Sequence, residues 1–218
     1  MRKERFLEET QRMKMFENSG IDAMQGANLI SVDIQPEYEK WVGFDIYEYT
    51  QYLNTNYEAM NSLTFLYNGS ETLDMVTEYD YMYWLMDNGL AEDVVNGSTF
   101  YDKGYAFFRY CMDMHIEDEE IVTLIQFMIR NDINDSRDLD EEMWTSFMAY
   151  AGADESDVRD LLEPAEDMIN IPDLMDFLKR YGGKLILTGG GINECLKEVE
   201  IALMALQKPY NVLTQFTY

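Results

Sequence analysis

The chain has 218 residues, 16 Lys and Arg against 42 Asp and Glu, and a formal net charge of −26. Without any cluster of Lys and Arg it offers no surface for phosphate backbones, so no nucleic-acid partner is expected. With 47% hydrophobic residues, 14% aromatics and only 4 Pro, this is a folding composition rather than a disordered one, and the length suits a single domain with room for an insertion.

Two cysteines, Cys111 and Cys195, cannot build a disulfide framework, which points to a reducing, cytoplasmic setting. One histidine, His115, excludes zinc sites built on two or three imidazoles. The start of the chain lacks the apolar core of a signal peptide, and nowhere do enough apolar residues run together to span a bilayer, so no membrane partner is expected.

Residues 3–16 are patterned as a helix, with Phe6, Leu7, Met13, Met15 and Phe16 among charges. Residues 28–34 form a short apolar run that ends in Asp33 and a polar turn at Gln35-Pro36, the signature of a buried strand delivering a carboxylate at its end. A helix is predicted over 45–60, a strand over 62–67 and a helix over 71–88 stopped by Asn88-Gly89. Ser98 to Tyr101 reads as a third strand running into Asp102-Lys103-Gly104. Further helices are predicted within 105–130 and at 139–151, 155–166 and 172–181. Lys184 to Thr188 reads as a strand followed by Gly189-Gly190-Gly191, residues 192–207 as a helix and 210–216 as a last strand.

Strands that read as continuous apolar runs, alternating with helices, imply an α/β fold: a three-layer α/β/α arrangement around a mostly parallel sheet. Residues 1–218 are expected to form one such domain. Within it, 113–166 holds 17 acidic residues against Arg130, Arg137 and Arg159 and no convincing strand, which reads as an acidic helical insertion with a solvated surface. The dense aromatics Tyr79, Tyr81, Tyr83 and Trp84 are read as core, with a partner surface as the alternative.

The strongest chemical signal is the segment from Leu185 to Cys195, in which a strand ends, three glycines follow and a thiol sits in the first turn of a helix. Unpaired N–H groups and the positive end of the helix dipole favour a thiolate there, and the same amides suit a developing oxyanion. Glu194 beside it acts in the opposite sense, since a nearby carboxylate disfavours the thiolate. The alternative is a small buried residue at a tight strand–helix junction. Asp33 ends a strand where parallel sheets bind ligands and suits a general base, or else a turn cap. Lys103 follows another strand and suits an ammonium that steadies both anions, or else a surface lysine paired with Asp102.

Asp33 in Leu-Ile-Ser-Val-Asp-Ile-Gln, Lys103 in Asp-Lys-Gly-Tyr-Ala-Phe-Phe and Cys195 in Thr-Gly-Gly-Gly-Ile-Asn-Glu-Cys-Leu resemble the isochorismatase-like cysteine hydrolases. The likeness covers residues 28–70, 98–110 and 172–216. It implies a three-layer α/β/α fold and an Asp–Lys–Cys triad in this chain order: Cys195 attacks a carbonyl carbon, Asp33 takes the thiol proton and Lys103 assists. It also implies an oxyanion hole from backbone amides near Gly190, Gly191 and Cys195, with a cis peptide near Gly190-Gly191. The Asp and His that hold metal in nicotinamidases have no counterpart here; Asn68, Glu71 and Asp74 follow the second strand. No metal and no cofactor are therefore expected.

A rival cation loop spans Asp132 to Glu142, but Arg137 stands where a calcium loop turns on Gly and Met143 where the bidentate Glu belongs. A plain acidic interhelical loop is the better reading. The sequence thus leads to a hydrolase with a cysteine nucleophile acting on a small carbonyl compound, most simply at a C–N bond, with homo-oligomerisation or a protein partner left open. The alternative is a non-catalytic acidic interaction protein on the same fold.

Overall fold

The computed structural model describes residues 24–34, 44–67, 77–103, 118–132, 142, 145–146, 149 and 172–218. The helices expected at 3–16 and 155–166, and most of the acidic stretch 113–166 with its 133–141 loop, lie outside these residues. The chain divides into two compact units. One comprises residues 12–105, 181–197 and 209–218, the other residues 1–11, 106–180 and 198–208.

The first unit contains a five-stranded, all-parallel sheet: β1 (Asn28–Val32), β2 (Ser62–Tyr67), β3 (Thr99–Asp102), β4 (Leu185–Gly189) and β5 (Tyr210–Val212), in the order β3-β2-β1-β4-β5. This is the α/β fold expected. Every residue of β1 and of β4 is buried. Leu29, Leu63, Phe65 and Ile186 point into one core, and the alternate residues Ile30, Val32, Leu66 and Leu187 are equally inaccessible. Burial on both faces is what continuous apolar runs encode, because residues of opposite parity both leave water.

Three helices complete the first of these cores. α1 (Ile46–Asn56) starts where the Asp45 carboxylate accepts from the Glu48 N–H at 3.0 Å, and it buries Ile46, Tyr49 and Leu53. α2 (Glu78–Asp87) opens with a reciprocal Thr77–Asp80 capping box and buries Tyr81 and Leu85. α3 (Glu92–Gly97) is a short connector contributing Val94 and Val95. The Thr50 hydroxyl donates to Asn88 O at 2.7 Å and the Asn54 amide to Gly89 O at 2.8 Å. α1 thereby satisfies carbonyls at the end of α2 that no intrahelical donor reaches. Of the aromatic cluster on α2, only Tyr81 belongs fully to the core; Tyr79 and Tyr83 are exposed.

In the second unit, α4 (Asp118–Arg130) buries Ile121, Val122, Ile125 and Met128, and α5 (Pro172–Lys179) buries Leu174, Met175, Phe177 and Leu178. Lys208 Nζ donates to Leu178 O and Lys179 O, both at 2.8 Å, capping the open carbonyls and negative dipole end of α5. α6 (Cys195–Ala205) begins in the first unit. No helix among the described residues is long and apolar enough to cross a membrane.

Candidate functional site

The strand order places a topological switch beside β1: the chain moves out through β2 and β3 on one side, then returns to β4 and β5 on the other. In open parallel sheets the two loops leaving such a switch diverge and leave a crevice at the carboxyl edge. Asp33 leaves β1 at this edge, and Gly189 to Cys195 leave β4 beside it.

The backbone holds Asp33 and Lys103 at the same height. The Asp33 N–H donates to Leu66 O at 2.8 Å and the Lys103 N–H to Tyr67 O at 2.9 Å, so each is the first residue past its strand and each is still anchored to β2. β1 and β3 flank β2, about 10 Å apart at ordinary strand spacing, a gap that one long and one short side chain can close. They close it: Lys103 Nζ lies 2.9 Å from Asp33 Oδ2, with side-chain exposures of 3% and 0%. Asp33 Oδ1 has no hydrogen-bond donor among the described residues. The surface-lysine reading of Lys103 is thereby corrected. A long flexible ammonium stays buried here because a carboxylate compensates it.

Asp33 has a backbone φ of +40°, a left-handed conformation uncommon for any residue but glycine and tolerated best by Asn and Asp. The glycine loop opposite is equally constrained. Gly189 and Gly190 have φ of +73° and +62°, and a Cβ on Gly189 would stand 2.5 Å from Val32 O and 2.6 Å from Ile34 Cγ1. Glycine is required there because the ends of β1 and β4 approach too closely for a side chain. No cis peptide bond occurs among the described residues, so the one implied near Gly190-Gly191 is absent; positive φ turns the chain instead.

Cys195 is the first residue of α6 and is buried, 4% exposed. The Glu194 and Leu196 amides both donate to Gly191 O, at 2.9 and 3.1 Å, and the Ile192 amide donates to Tyr218 O at 2.6 Å. Glu194 is exposed, so water screens its influence on the thiol.

Beneath this edge lies a layer of buried hydroxyls that the sequence did not flag: Ser31, Thr188, Tyr49 and Tyr81. Burial pushes the Tyr81 phenol well above its ordinary range, and the Asp33 charge adds to the effect. Tyr49 is raised in the same way by burial, and the neighbouring Ser31 and Thr188 hydroxyls act in the opposite sense. Both phenols therefore stay protonated. No group of three or more His, Cys, Asp or Glu that could hold a metal ion occurs among the described residues.

Fold and edge together define an α/β protein with an all-parallel five-stranded sheet and a buried acid–amine pair at the carboxyl edge of its central strand. Comparison of the chain with protein-family models, with curated proteins and with solved structures finds no match.

Proposed function

We propose that this chain is a cysteine hydrolase of small carbonyl compounds, with Cys195 as nucleophile, Asp33 as general base and Lys103 as the ammonium that holds the base in place. The observation that carries the reading is the water-excluded Asp33–Lys103 pair, 2.9 Å apart at the carboxyl edge of the central strand, with the second carboxylate oxygen unengaged. An unpartnered buried acceptor is expensive unless it has a use. Taking a proton from a thiol is such a use.

In the proposed reaction, Asp33 Oδ1 accepts the Cys195 S–H proton and the thiolate adds to the carbonyl carbon of an amide-type substrate. The N–H groups of Gly190 and Gly191 receive the oxyanion. Collapse of the intermediate breaks the C–N bond. The leaving nitrogen takes the proton back from Asp33, and a thioester remains on Cys195. Water, deprotonated by Asp33, then adds to the thioester carbonyl, which releases a carboxylic acid and regenerates the thiol. No metal or cofactor enters the scheme, and a free thiol of this kind fits a reducing, cytoplasmic compartment.

Alkylation with iodoacetamide, read by peptide mass spectrometry, tests the assignment. Cys195 should be modified in the native protein in preference to Cys111, and Asp33→Asn should slow that modification by at least tenfold near neutral pH. A native protein that reacts at Cys111 while Cys195 reacts only after denaturation would leave Cys195 as a packing residue and end the catalytic reading.

A further inference from the structure

Three hydrogen bonds of Tyr218 fall on the two loops that leave β1 and β4 at the switch point. Its hydroxyl donates to the Asp33 carbonyl, its N–H donates to Gly190 O at 3.2 Å, and its carbonyl accepts from the Ile192 N–H at 2.6 Å. Its ring packs edge-on against Phe44, with centroids 5.6 Å apart, and Phe44 is itself part of the buried core. One residue, 185 positions from Asp33 in the chain, therefore spans the loop that bears the carboxylate and the glycine loop that leads to the thiol.

We infer that Tyr218 is a positioning residue for this site: its hydroxyl fixes the Asp33 carbonyl and so holds Asp33 in the left-handed conformation that turns its carboxylate onto Lys103. This inference rests on the functional reading above for its catalytic meaning. A residue at φ +40° gains free energy by returning to negative φ and persists there only where its surroundings over-determine it. At Asp33 the N–H is held by Leu66 O and the carboxylate by Lys103. The carbonyl, which swings with the peptide plane when the residue relaxes, is held by Tyr218 alone among the described residues. Without that bond the peptide after Asp33 can rotate, and the carboxylate rotates with it. The two backbone bonds of Tyr218 do not depend on its hydroxyl, so removal of the single oxygen leaves the glycine loop tied.

Tyr218→Phe isolates the effect, with Asp33→Asn as reference. Crystal structures of the wild type and of Tyr218→Phe should differ at Asp33. The variant should have Asp33 at negative φ and the Lys103–Asp33 pair opened beyond ion-pair distance, while Gly190 O and the Ile192 N–H keep their bonds to residue 218. The Cys195 alkylation rate of Tyr218→Phe should fall about tenfold near neutral pH, and its pH profile should overlay that of Asp33→Asn. A purely structural role would lower the melting temperature and leave that profile in place. An intact left-handed Asp33 and an unmoved pair in the variant overturn the inference and leave the hydrolase reading untouched. An opened pair in a protein whose wild-type Cys195 never reacts sustains the clamp and removes the hydrolase. Should Tyr218→Phe prove too unstable to crystallise, 3-fluorotyrosine at 218, which keeps the hydroxyl and strengthens it as a donor, must preserve the wild-type alkylation profile; a profile displaced toward Asp33→Asn overturns the inference.

Discussion

Tyr49 and Tyr81 sit fully buried beneath the carboxyl edge, and desolvation raises both phenols above their ordinary value of 10.0. Above pH 10 the unfolded chain releases two protons that the folded chain retains, so the unfolded state binds fewer and stability falls with rising pH. The contribution is fully present below pH 10 and is lost progressively above it, at about 1.4 kcal/mol per pH unit for each phenol. Urea unfolding followed between pH 9 and 11 should give that slope, and Tyr81→Phe should remove about one proton's share of it. An unchanged slope in the variant would mean that Tyr81 titrates normally. None of this was legible in the sequence, where Tyr79, Tyr81 and Tyr83 look equivalent. Only the helix phase relative to the sheet decides that the middle one is buried while its neighbours are exposed.

Among elements, the β1 and β4 ends show what pattern reading captures and what it does not. Both strands are recognisable because burial on two faces leaves an uninterrupted apolar run, and β2 falls on the residues expected. α3 escaped because six residues carry no periodicity and its cap residue, Ala91, offers no side-chain acceptor. β5 was expected to reach 216 but ends at Val212; the Leu213 N–H still donates to Leu187 O, and the chain then coils into a 3-10 turn. That turn seats Phe216 against Tyr49 and Tyr52, with ring centroids 5.1 and 4.8 Å away, a long-range contact that overrides local strand preference. The site itself was only half legible. Its residues were named from the strand ends, the glycine–thiol segment and a resemblance, while the pairing of Asp33 with Lys103 across β2 and the Tyr218 clamp depend on strand order. The glycine loop gives the prediction at this scale. Gly189→Ala combines a positive φ with a Cβ 2.5 Å from Val32 O, so it should destabilise the protein by about 2–4 kcal/mol. Gly182→Ala, which meets nothing within 4 Å, should change stability by less than about 1 kcal/mol. Equal midpoints for the two variants in urea would contradict the close approach of β1 and β4.

Charge is the property of the whole molecule, and it explains why the buried pair stands apart. Residues 41–102 carry eleven carboxylates and no Lys or Arg, and the next cation in the chain, Lys103, is spent inside on Asp33 rather than on the surface. A net charge of −26 repels itself at low ionic strength. Raising NaCl from 10 to 300 mM shortens the Debye length several-fold and should stabilise the fold by about 1–2 kcal/mol, or about 2–8 °C in Tm for a chain this size. A buried pair is screened far less than surface charge. Lys103→Met leaves the Asp33 carboxylate uncompensated and should cost about 3–5 kcal/mol, and that cost should be the same at both salt concentrations to within about 0.5 kcal/mol. Asp33→Asn combined with Lys103→Met removes the stranded charge and should recover much of the loss. The exposed Lys179–Asp176 pair, at 2.7 Å with side chains 49% and 61% accessible, provides the contrast. Lys179→Met should cost under about 1 kcal/mol at low salt and almost nothing at high salt. Chemical denaturation of the four proteins at the two ionic strengths separates the cases, because a Lys103→Met penalty that fades with salt would mean the Asp33 carboxylate reaches water.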